Sequence, residues 1–345
     1  MKEMPCADKK KSYFLSSLSE SRGQLYGVMT FLILFCHTFV RYDLIFGGSP
    51  MLFVPMEQLR NLAVAGVDMF LIMSGISLYF SFSADSKIKS FYAKRAIRLL
   101  PIVTIASFVW FAIVGADSLS AYLENAFLIS FYTNGNRNFW FFAFLIVCYF
   151  FYPFIHKLFA KTGFIGFVGL AVISVSGNVL LMSFLPDFYY NIEVALIRVP
   201  SFLFGCWIGK YVKDKKCISA KWLIVAVAVL GMCAAVNFID KSTTSTKFYY
   251  LCFPIAISSL ILLSAFFSRF TIKSLNTVLI WWGGYSLEFY LLYEKVRDLS
   301  KSAIGTSDET LVVLYSFTFF VTLVIAIGLK ALCNNLEKNL FRTKK

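Results

Sequence analysis

GVDMFLIMSGISLYFSF, residues Gly66–Phe82, holds one ionisable side chain, Asp68, in a run otherwise made of apolar and small residues. Apolar character sustained over this length, with no strand-like alternation, reads as a helix crossing a bilayer. The apolar stretch before it, YGVMTFLILFCH (Tyr26–His37), ends on one of only two histidines in the chain. An ionisable group inside a membrane span is costly enough that a site or polar pathway is its default meaning. If the two spans run antiparallel, His37 lies about 6 Å before the end of the first span at Arg41. Asp68 lies about 9 Å after the start of the second near Leu62, by the rise of a helix. A carboxylate beside an imidazole makes a general base and its orienting partner.

Composition agrees with the class. The chain of 345 residues is 59% hydrophobic and 18% aromatic, with only 15% charged residues and a mean hydropathy of +0.72. Those values describe a polytopic, all-α membrane bundle and exclude an ordinary soluble domain. The net charge of +14 does not imply nucleic acid, because Lys and Arg gather at the ends of apolar runs, as the positive-inside bias requires. Eight cysteines are scattered without C-x-x-C spacing, which suggests neither a metal site nor a disulfide framework.

About ten apolar segments follow one another, near 24–41, 62–83, 99–115, 139–157, 164–185, 192–212, 222–239, 248–268, 277–296 and 309–332. Leu119–Tyr132 is shorter, contains Glu124, and is expected at the interface or as a re-entrant segment. This divides the chain into a polar segment 1–23, a membrane domain 24–335 and a basic tail 336–345. The polar start is too long and charged for a typical cleaved signal peptide, so the first span is expected to stay as an anchor. Basic connections (Lys9–Lys11, 83–98, 156–161, 210–221, 269–273, 342–345) alternate with ones bearing Asp117, Glu124, Asp187, Asp240, Asp308 and Glu309. That alternation predicts a multi-pass protein of the cell membrane with both termini cytoplasmic. The connection Tyr42–Arg60 is then an outer loop.

Further strings extend the pattern: FYAKRAIRLLP (Phe91–Pro101), NFWFFAFLIVCYFFYP (Asn138–Pro153), RVPSFLFGCWIG (Arg198–Gly209) and GGYSLEFYLLYE (Gly283–Glu294). Taken in order with the two spans above, the series resembles acyltransferase family 3, integral membrane acyltransferases many of which O-acetylate surface polysaccharides. The resemblance covers nearly the whole chain. It implies an O-acyltransferase moving an acetyl group from cytoplasmic acetyl-CoA to a hydroxyl of a surface or lipid-linked carbohydrate, with no metal and no nucleic acid involved. Its expected partners are that carbohydrate, the lipid bilayer and proteins of polysaccharide synthesis.

Residue by residue, His37 matches the catalytic histidine of the family, and Asp68 in GVD is expected to orient it. The alternative for each is a polar tether between helices. Where the family places an arginine eleven residues before the histidine, this chain has Tyr26, on the same helical face as His37. Arg22, one turn earlier, is expected to stand in for it. Lys94, Arg95 and Arg98 begin the third span, and guanidinium forks suit coenzyme A phosphates, although the positive-inside rule explains basic residues here as well. His37 lies roughly 20 Å above Gln24 by helical rise, a distance an extended pantetheine arm spans. Trp140 matches a family position and lines the acceptor or pantetheine path, or else is an interfacial aromatic. Trp281, Trp282 and His156 read as interface residues, and Ser74 and Gly75 as packing residues. Arg198 has Glu288 or Glu193 as its expected partner. The family often ends its penultimate motif in histidine, where this chain has Tyr293.

No G-x-S-x-G elbow, H-E-x-x-H, Walker loop or G-x-G-x-x-G occurs. Two alternatives stand beside the transferase. One is a transporter or lipid-linked sugar flippase with an intramembrane His/Asp pathway. The other is a non-catalytic partner in polysaccharide synthesis.

Overall fold

The computed structural model describes residues 12–38, 50–115, 117–239, 246–305, 307 and 310–342. Lys9–Lys11, the middle of the expected outer loop, Asp240, Asp308 and Glu309 lie outside the described residues. A strand β1 (Ser12–Phe14) and a short α1 (Ser17–Glu20) lead into α2 (Arg22–Cys36), α3 (Pro50–Leu62), α4 (Gly66–Ala84) and α5 (Ile88–Val114). Next come α6 (Leu119–Ala126), α7 (Ser130–Asn134), α8 (Trp140–Thr162), α9 (Phe164–Phe184), α10 (Pro186–Leu196) and α11 (Val199–Lys213). Strand β2 (Cys217–Ser219) precedes α12 (Lys221–Ile239), α13 (Thr246–Arg269), α14 (Lys273–Gly283), α15 (Ser286–Ile304) and α16 (Leu311–Arg342).

Helices dominate because hydrocarbon offers no partner for a backbone N–H or C=O, so each segment satisfies its own. Seven described helical runs are long and apolar enough to cross a membrane, from Val54–Ala84 to Leu311–Asn335, and α2 and α12 are shorter apolar helices. The remaining expected span, 277–296, is broken. Helix α14 ends at Gly283 and α15 starts at Ser286, since paired glycines weaken a helix where backbone freedom is greatest. Two other boundaries differ from expectation. Pro50–Leu62 is helical and continues through the turn Ala63–Ala65 into α4. Helix α16 carries on past residue 335 to Arg342.

The chain divides into two compact units. The first comprises Met1–Phe80, His156–Ala171 and Ile197–Gly284, and the second Ser81–Ile155, Val172–Leu196 and Tyr285–Lys345. In the first, β1 pairs antiparallel with β2, Tyr13 opposite Ile218, and the Tyr13 hydroxyl shares a hydrogen bond of 2.5 Å with Ser264. A strand pair is not split across a bilayer, so the amino-terminal segment and the connection before α12 share one face of the membrane. Cys217 of β2 is disulfide-bonded. Spacing in the sequence gave no warning of this, because spacing detects clusters and not pairs made by folding.

Two glycine crossings hold the first unit. A Cβ on Gly27 would run into the carbonyl of Leu279, and one on Gly283 into that of Gly23, so α2 and α14 touch backbone to backbone. On α4 and α11, a Cβ on Gly75 would stand 2.5 Å from the Cys206 nitrogen, and one on Gly205 would strike the Ile72 carbonyl. Close approach of this kind is what small-xxx-small spacing provides, here Gly23/Gly27 and Gly205/Gly209. Trp282 is buried and stacks on Phe31 at 5.2 Å, a packing residue and not the belt residue expected. Trp281 is exposed. His156 is half-buried, its ring 5.3 Å from Tyr79.

In the second unit, α5, α15 and α16 pack together, and Phe82, Phe91 and Tyr152 form an aromatic cluster with centroids 5.3–5.8 Å apart. The segment before α8 is tied to α10: Asn191 Nδ2 donates to the Thr133 carbonyl at 2.9 Å and Arg137 pairs with Glu193 at 2.9 Å. Glu193 is therefore the partner of Arg137 and not of Arg198.

Substituting Gly205→Leu is expected to lower thermal stability in detergent by the ~1–3 kcal/mol of an overpacked contact, or more. Gly231→Leu, where nothing lies within 4 Å of a Cβ, should melt within ~0.5 kcal/mol of wild type. Equal melting of the two variants would remove the crossing as an explanation.

Candidate functional site

His37 is the residue on which α2 ends. Its N–H bonds the carbonyls of Ile33 and Leu34, both at 3.2 Å, and its φ of −95° and ψ of 3° leave the helix. The side chain is half-buried. Helix α2 thus ends at Cys36 with His37 as its C-terminal cap; the span was expected to run to Arg41, which lies outside the described residues. At a helix end the backbone of the last turn still fixes where the imidazole starts.

Asp68 occupies the first turn of α4, directly after the turn Ala63–Ala65 that joins it to α3. Ser201 Oγ donates to its Oδ1 at 2.5 Å, and Arg198 Nε lies 3.3 Å from its Oδ2. Asp68 is 1% and Arg198 2% exposed, an ion pair closed from its surroundings. The Arg198 guanidinium also sits 4.8 Å over the Tyr249 ring, a cation–π contact in a desolvated place. Arg198 therefore takes Asp68 as its carboxylate partner.

Among the described residues the contacts of Asp68 are Ser201 and Arg198, and the expected hydrogen bond to His37 is not among them. Register explains why: Gly66 sits against Met29, Leu32 and Ile33, and the rings of Tyr26 and Phe70 are 5.5 Å apart. That alignment sets Asp68 level with Val28 and Met29, so His37 is about 12 Å further along the axis of α2. The two spans are antiparallel, but their ionisable groups do not share one depth.

Arg22 and Tyr26 do come together. The Arg22 guanidinium carbon lies 5.2 Å from the centre of the Tyr26 ring, so a cation covers the position where the family pattern has arginine.

In the second unit, the three basic residues that start α5 have different surroundings. Lys94 is paired with Asp85 at 2.9 Å. Asp85 also accepts from Ser90 Oγ at 2.6 Å and the Lys87 N–H at 3.2 Å. Ser90 first, then Lys94 and Lys87, hold its carboxyl well below the usual carboxylate range. Arg95 packs on Phe91 and Tyr149, 5.8 and 6.0 Å from the ring centres. Arg98 is exposed. Arg98 and Lys330 both act electrostatically on the buried Glu288 of α15, and Lys330 Nζ lies 4.3 Å over Tyr285. Lys330 was missed in the sequence because it sits within an apolar run, where it reads as a span end. Trp140 is half-buried with its ring 6.0 Å from Phe141. Among the described residues no cluster of three or more His, Cys, Asp or Glu could hold a metal ion.

Long apolar helices with ionisable groups buried among them define the class of multi-pass helical membrane proteins. The family model of the acyltransferase domain matches residues 26–331, and the chain belongs to that family, acyltransferase family 3. It is a membrane acyltransferase. No curated protein and no solved structure matches it.

Replacing Arg198 by Met leaves a buried carboxylate without its cation, and is expected to cost about 3–5 kcal/mol of unfolding free energy. The double variant Asp68→Leu/Arg198→Met should recover most of the loss. Denaturant unfolding in detergent reads both, and an Arg198→Met protein as stable as wild type would contradict the closed pair.

Proposed function

We propose that this protein transfers an acetyl group from cytoplasmic acetyl-CoA to a hydroxyl of a cell-surface or lipid-linked carbohydrate, in a cell membrane with both chain termini on the cytoplasmic side. The observation that carries this reading is the half-buried imidazole at the end of α2, at the position matching the catalytic histidine of the family. Neutral His37 takes the proton of the attacking hydroxyl as its oxygen bonds the thioester carbonyl carbon. The C–S bond breaks, and the imidazolium returns its proton to the departing thiolate. Atoms and charge balance without a metal.

Supporting residues follow from their surroundings. Asp68 is spent on Arg198 and Ser201, so in this mechanism it fixes α4 against α11 and acts on the reaction by holding the frame. Arg98, exposed and without an ion pair among the described residues, is the first choice for a coenzyme A phosphate, with Arg95 beside it on its aromatic shelf. Lys94 joins only by exchanging Asp85 for the phosphate. Arg22 over Tyr26 supplies the charge of the absent motif arginine. Trp140 lines the path of the acceptor or the pantetheine arm.

Transfer of label from radiolabelled acetyl-CoA to membrane glycan is the test. His37→Ala at matched expression should lose about 10²-fold or more of the wild-type rate. Arg98→Ala should raise KM for acetyl-CoA about tenfold while sparing kcat. Equal incorporation by wild type and His37→Ala would falsify the mechanism.

A further inference from the structure

Asn237 is the one strongly polar side chain that α12 carries after its first residue, and it lies two residues before the end of that helix at Ile239. It is 2% exposed. Its Nδ2 donates to Oε1 of Gln58 in α3, 179 residues away in the chain. Its Oδ1 is buried and finds no donor among the described residues. An amide in an apolar span is costly, and a half-satisfied one costs more than a leucine of similar size would. What such an amide supplies is register: it fixes which turn of one helix meets which turn of another.

The turns that Asn237 aligns lie at the depth of His37, and all of them belong to the first unit. Gly66 faces Met29, Leu32 and Ile33, and the Phe70 ring meets that of Tyr26. Carried along the two antiparallel helices, this register sets Leu59 and Arg60 level with His37, and Gln58 about 3 Å beyond. Both α3 and the turn Ala63–Ala65 pack on α2, so the last turn of α2 leans on the last turn of α3. Helix α3 packs in turn on α12, where Leu62 and Ala65 join Leu230, Cys233 and Cys252 in one apolar cluster. Cys36, the residue before His37, acts electrostatically on Cys252, so the end of α2 reaches the same cluster. Apolar contacts have no preferred direction and let helices slide, whereas the Asn237–Gln58 hydrogen bond has one.

We propose that Asn237 is a positioning residue for His37: through Gln58 it fixes α3, and α3 fixes the end of α2 on which the imidazole stands. The catalytic consequence rests on the general-base role proposed above; the placement of the ring does not. Without the bond α3 is free to shift along α12, and a displacement of about 1 Å at a reacting group is enough to cost a large factor in rate.

The test uses the full chain in nanodiscs on a His156→Gln background, which leaves His37 as the one histidine of the chain. Diethyl pyrocarbonate should modify His37 about threefold or more faster in Asn237→Leu, where the Gln58 amide loses its partner. Gln58→Leu/Asn237→Leu, which removes both amides, should return towards the parent rate. Ser264→Ala breaks the hydrogen bond to Tyr13 in the same unit, and should melt lower with the modification rate unchanged. In label transfer, Asn237→Leu should lose about tenfold or more in kcat with KM for acetyl-CoA unchanged. Should Asn237→Leu not fold, Gln58→Leu, at a half-buried position, reads the same bond from its other end. Equal modification rates in parent and variant, an equal rise in Ser264→Ala, or an unchanged kcat beside an active wild type overturns the inference. Absence of transfer by the wild type strikes the acyltransfer proposal, and the modification rates then decide the placement alone.

Discussion

A carboxylate and a guanidinium placed in a hydrocarbon interior have to find one another, and Asp68 and Arg198 do. Neither is stable alone at that burial, since the cost of stripping water from a charge is recovered only with good geometry and further hydrogen bonds. Ser201 and the first turn of α4 supply those bonds. The pair then acts as a pin. It sets which face of α4 meets α11, and the close glycine approach at Gly75 and Gly205 is possible only in that register. The same register, carried through Gly66 and the Tyr26–Phe70 contact, puts Asp68 well below the end of α2. A single ion pair thereby separates the two groups that looked like partners on paper.

Much of the fold was legible in the amino-acid sequence. Each of the ten apolar segments has a helical counterpart, because apolar length is a local property and a bilayer demands it of every span. The break between α14 and α15 was less visible, since GGY lies in an otherwise apolar run and a hydropathy window averages over it. Contacts between distant positions were least legible. Asp68 and Ser201 are 133 residues apart, and Lys295 and Asn138 are 157 apart. No periodicity carries that information. Depth along a span was read from assumed span ends, and α2 stops at Cys36, five residues short of the expected end at Arg41. That shortening moved the histidine from the interior of a helix to its cap.

Position at a cap suits the general-base role proposed for His37. A histidine in mid-helix would be held by neighbours on both sides and by the i, i+4 rows above and below it. At the end of α2 the ring keeps a fixed origin and stays half-buried. Rigid support behind that origin comes from the α2–α14 crossing, where the Gly27 and Leu279 backbones touch. Preorganisation of this sort lowers what must be ordered when substrate binds.

Charge accounting separates scaffold from site. The chain has 33 Lys and Arg against 19 Asp and Glu, so cations outnumber the acids available to neutralise them. Asp68 is committed to Arg198, Asp85 to Lys94, Glu193 to Arg137, and Asp298 to Arg297 and Lys301. Those cations hold helices or connections in place. Arg98 and Lys295 form no ion pair among the described residues, one exposed and one buried. An exposed arginine is solvated and waits at little cost. A buried lysine is costly to leave unanswered, and aromatic faces compensate for only part of its lost hydration.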